Sequence, residues 1–68
     1  MHSDTVTRDN WSARAEEAGV TLELLAVLTG LSYSAVYRYK TGSRTAPDAW
    51  IKKVGVILAD RELRKATA

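Results

Sequence analysis

Sixty-eight residues, of which 46% are hydrophobic, with a formal net charge of +2, suffice for one small domain that must be held by its apolar core. The chain has no cysteine, which excludes a disulfide scaffold, a thiolate zinc site and a cysteine nucleophile. No stretch approaches the roughly 18 apolar residues that cross a bilayer, and the opening MHSDTVTRDN lacks a signal peptide's apolar segment, so a cytoplasmic protein without a membrane partner is expected.

Residues 1–8 are polar and non-periodic and read as a flexible N-terminal arm. Arg8 and His2 are the groups there that could enter a nucleic-acid groove, but Asp4 and Asp9 oppose it, so fraying is expected. The helical domain is expected over 9–60. Its first helix should run from Asp9 or Asn10 to Ala18, with Trp11, Ala15 and Ala18 on one face and Trp11 as core anchor. Glu16 and Glu17 are acids by type, but adjacent helical residues diverge, so they read as solvated surface rather than an acid pair. Gly19 ends this helix and Val20 turns inward.

Thr21 to Gly42, TLELLAVLTGLSYSAVYRYKTG, is the organising stretch. Leu24, Leu25 and Leu28 recur at helical spacing behind Thr21, a candidate N-cap. Gly30 breaks the run, and as glycine it takes a positive φ without steric cost. Leu31 should then point inward and Ser32 cap a second helix to Lys40, with Val36 and Tyr39 facing the first and Gly42 stopping it. This is the pattern of a helix-turn-helix.

Ser43 to Ala46 reads as a loop, and Pro47 suits the first turn of the next helix, with Asp48 complementing its dipole. Trp50, Ile51, Val54, Ile57 and Leu58 form the strongest apolar stripe in the chain. The tail, 61–68, is compatible with a continued helix four, with fraying, or with the start of something longer.

Charge is unevenly spread. Residues 1–31 hold two arginines against five acids, net −3, and residues 32–68 hold eight cations against three acids, net +5. Between Ser32 and Pro47 lie Arg38, Lys40 and Arg44 and no acid. Such a face attracts a polyanion.

Ala26, Gly30, Leu31, Val36, Tyr39 and Gly42 stand where the Cro and lambda-type repressor (XRE) helix-turn-helix family places its small residue, turn glycine, inward aliphatics and terminal glycine. From Trp11 to Leu58 the chain resembles that family. The resemblance implies an all-α, compact four-helix fold, or five if the tail forms one of its own. It also implies double-stranded DNA as partner, with a homodimer or paired binding on the operator. The outward positions Tyr33, Ser34, Tyr37 and Arg38 would then meet base edges, with Arg38 the most specific reader. Thr21, Lys40, Thr41, Ser43, Arg44 and Thr45 would meet phosphates. The family's glutamine after the Thr21 position is replaced by Leu22, so one phosphate clamp is missing. Leu22 and Val27 make helix two more apolar than one small core requires.

The expected function is sequence-specific DNA binding as a transcriptional repressor of the temperate-phage immunity kind, in a bacterial host. A DNA-binding antitoxin or a phage excision factor would use the same surface. A helix-turn-helix protein-interaction module is the alternative of a different class. Without paired histidines, a phosphate loop or convergent carboxylates the sequence does not read as an enzyme, and no cofactor, metal or small-molecule ligand is expected.

Overall fold

The computed structural model describes the backbone of residues 5–67 and the side chains as far as residue 64. Four helices account for the ordered elements: α1 (Trp11–Glu17), α2 (Leu22–Thr29), α3 (Tyr33–Thr41) and α4 (Asp48–Thr67). The protein is an all-helical, four-helix domain with no strand among the described residues. No described helix is long and apolar enough to cross a membrane.

Local chemistry sets the boundaries. The Thr21 hydroxyl accepts from the Leu24 amide at 3.1 Å and the Ser32 hydroxyl from the Ala35 amide at 3.2 Å, each satisfying a donor that its helix cannot. Gly30 and Gly42 close α2 and α3 in the left-handed region, at φ 74° and 84°. Helix α1 is shorter than the expected Asp9 or Asn10 to Ala18: at its start the Asn10 side chain is engaged outside it, accepting from the Thr7 amide and donating to the Thr5 carbonyl, and at its end Ala18 is the cap ahead of the left-handed Gly19. Pro47 stands just ahead of α4 rather than inside it, and its carbonyl accepts from the amides of Trp50 and Ile51. Helix α4 does not stop where its apolar stripe ends but continues to Thr67.

The core gathers one face of each helix. Trp11, Leu25, Val36, Val54 and Leu58 are its largest fully buried side chains. Trp50 meets Trp11 edge to face at 4.9 Å between ring centroids and Tyr39 at 5.0 Å, so α1, α3 and α4 share one aromatic centre. The buried indole Nε1 of Trp50 has no hydrogen-bond partner among the described residues. Helix α2 packs on both α3 and α4, and α4 also packs on α1, where Arg14 and Glu62 add an ion pair at 3.5 Å.

Two further expectations are corrected. The apolar spacing of α2 predicts an inward Leu28, yet that helix buries Leu25 and Ala26 and leaves Leu28 49% exposed. The stripe is too wide for one small core. Within the segment read as a flexible arm, Val6 packs on the core beside Gly55, and Arg8 donates from Nε to the Ala46 carbonyl at 2.9 Å and from Nη2 to Asp48. Arg8 is therefore engaged with its own chain rather than reaching for a groove. Residues 1–4 of the arm, with His2 and Asp4, lie outside the described residues, as do the side chains of residues 65–68.

Candidate nucleic-acid interface

Helix α3 is fixed from behind and bare in front. Val36 is fully buried and Tyr39 half-buried against Trp50, which settles the rotation of the helix. With that rotation, Tyr33, Ser34, Tyr37 and Arg38 are all exposed on its outer side. Tyr33 and Tyr37, one turn apart and each about half exposed, stack with centroids 6.2 Å apart and planes at 21°, giving a single aromatic ridge. All four residues singled out as base readers are thus brought to one surface.

The candidate phosphate contacts divide into two groups. Thr41, Ser43, Arg44 and Thr45 lie at the end of α3 and in the loop behind it, all exposed. The Thr41 hydroxyl donates back to the Arg38 carbonyl at 3.3 Å and lies 3.2 Å from the Ser43 hydroxyl, so it braces the loop. Thr21 and Lys40 form the second group, lining one depression at the start of α2 with Ser12 and Glu16. Glu16 is the unforeseen member. A phosphate in this depression would meet Lys40 and a carboxylate together.

Leu22, in place of the expected glutamine, is half-buried and packs against the core. Its side chain adds to the core, where a glutamine could have reached a phosphate. Sequence reasoning missed the tether of Arg8 to Ala46 and Asp48, which holds the far end of the Ser43–Thr45 loop. The partners are 38 and 40 residues apart, and nothing in local spacing signals such a pair.

Among the described residues no cluster of histidine, cysteine or carboxylate could hold a metal ion. No family model matches the chain, and neither does any curated protein or solved structure.

Proposed function

We propose that the protein binds double-stranded DNA sequence-specifically, with α3 in the major groove, and acts as a transcriptional repressor of the Cro or lambda type, as in temperate-phage immunity. One observation carries this reading. A helix whose back is locked into the core presents Tyr33, Ser34, Tyr37 and Arg38 together, in a stretch with three cations and no acid. The Arg38 fork suits guanine O6 and N7, the tyrosine ridge suits thymine methyls and nearby phosphates, and Ser34 accepts several bases. Arg44, Lys40 and the hydroxyls of Thr21, Thr41, Ser43 and Thr45 supply backbone contacts that set register without reading sequence.

The test is selection of bound sequences from random duplex, followed by Arg38→Ala. A consensus with one guanine position relaxed in the variant is expected. Absence of any duplex binding at low salt would sink the reading. Antitoxin and excision-factor roles use the same surface and separate by footprinting: a promoter footprint supports repression, an attachment-site footprint excision. The protein-interaction alternative draws on Val27, 76% exposed on the outer side of α2, and would be favoured if duplex binding fails.

A further inference from the structure

Away from α3, an apolar seam lies open between α2 and α4. Leu28 is 49% and Val56 70% exposed, with Ile57 half-buried beside them. These three side chains line two adjoining depressions, one ending at Lys52 and Lys53, the other at Asp60, Arg61 and Arg64.

The order of charges along this seam is self-complementary. Residues three or four apart share a helix face, so Lys53 stands one turn before the Val56 and Ile57 step and Asp60 one turn after it. If two copies of α4 run antiparallel about a two-fold axis through that step, Lys53 of each copy faces Asp60 of the other, twice. Val56 then meets Ile57 across the axis, and Arg64, beyond Asp60, falls opposite the small Ala49. An interface that repeats itself under a two-fold axis is what an isologous dimer requires.

We propose that this seam joins two copies of the chain, antiparallel along α4. The contact is weak. Three apolar side chains per copy fall well short of the roughly 800 Å² per partner of a stable interface, and Lys52 faces Arg61 as a like-charge pair off the axis. Two free copies therefore associate only at high concentration. Two held close together, where effective concentrations reach about the millimolar range, associate readily.

The test uses the full chain without DNA, so it stands or falls apart from the DNA-binding reading. Sedimentation equilibrium and amide chemical shifts are followed from about 10 μM to about 1 mM, a range that reports weak association. A monomer–dimer equilibrium is expected, with shifts centred on Leu28, Val56 and Ile57. Val56→Asp should abolish it, with helicity retained by circular dichroism. Lys53→Glu and Asp60→Lys should each weaken association by about tenfold, as buried-edge charge pairs do when reversed, and the double variant should restore it. Lys53→Glu lowers the positive charge of the seam, so general electrostatics would strengthen association, and a loss reports the specific pair. Asp60→Lys also breaks the exposed pair with Arg64 at 3.1 Å, so melting temperatures are compared alongside. A chain monomeric throughout, a dimer indifferent to Val56→Asp, or a double variant no better than the singles would overturn the proposal and leave the seam to a different partner.

Discussion

The backbone amide of Arg44 donates to the carbonyl oxygen of Arg38 across 3.2 Å, folding the loop after α3 back onto the helix that precedes it. The same oxygen accepts from the Gly42 amide at 3.1 Å and from the Thr41 hydroxyl. One carbonyl therefore fixes the candidate base reader relative to the candidate phosphate contact, and the glycine at φ 84° lets the chain make that turn.

Gly42→Ala should destabilise the protein by about 1–2 kcal/mol, because the cost lies in the left-handed backbone rather than in crowding: an added Cβ meets nothing within 4 Å. Gly55→Ala should do the reverse. Gly55 sits inside α4, where glycine is about 1 kcal/mol worse than alanine, and its new Cβ would rest 3.6 Å from the Val6 Cβ, an ordinary contact. Urea midpoints of the two variants should move in opposite directions, and a shared direction would contradict the backbone assignment.

Arg8→Ala should lower stability by about 0.5–1.5 kcal/mol, mostly through the lost bond to the Ala46 carbonyl. The pair with Asp48 is exposed on both sides and adds little. Asp48→Ala should accordingly cost less than Arg8→Ala in denaturant titration. An arm that merely frays would give no change for Arg8→Ala, while Asp48→Ala would still lose its interaction with the α4 dipole.

Trp11→Ala should cost about 3–5 kcal/mol, the range for deleting a fully buried large aromatic. A domain this small has little more than that in total, so the variant is expected to be largely unfolded at room temperature by far-ultraviolet circular dichroism. Trp11→Phe keeps an edge for Trp50 and should retain the fold with a lowered melting temperature. If the alanine variant melts like the parent, the aromatic centre is not what holds α1 to α4.

On the proposed DNA reading, Arg38→Ala and Arg44→Ala should fail differently. The first should lose about 1–3 kcal/mol on the selected sequence and little on random duplex. The second should weaken both alike and reduce the slope of log affinity against log salt by about one. Fluorescence anisotropy at four or five salt concentrations distinguishes them, and identical behaviour would remove the division between base reader and backbone contact.

Much of the architecture could be read from the chain because the signals are local. Thr21 and Ser32 cap because a hydroxyl at that position reaches an amide three residues on, and Gly30 and Gly42 terminate because a missing Cβ frees the left-handed region. The outward set on α3 was also legible, since burying Val36 and Tyr39 leaves Tyr33, Ser34, Tyr37 and Arg38 on the other side whatever the helix packs against.

Which apolar residues a small core accepts was not legible. Helix α2 offers leucines and a valine on nearly every side, and only the positions of α3 and α4 decide that Leu25 is covered while Leu28 and Val27 remain exposed. The placing of Glu16 in one depression with Lys40, the capture of Arg8 by Ala46 and Asp48, and the sharing of one seam by Leu28 and Val56 are likewise products of packing. Sequence by itself settled where α2 and α3 are capped and closed and which side of α3 turns inward, because those depend on neighbours within a turn. Tertiary structure alone decided which surplus hydrophobes and charges meet, because that depends on how helices distant along the chain come to rest on one another.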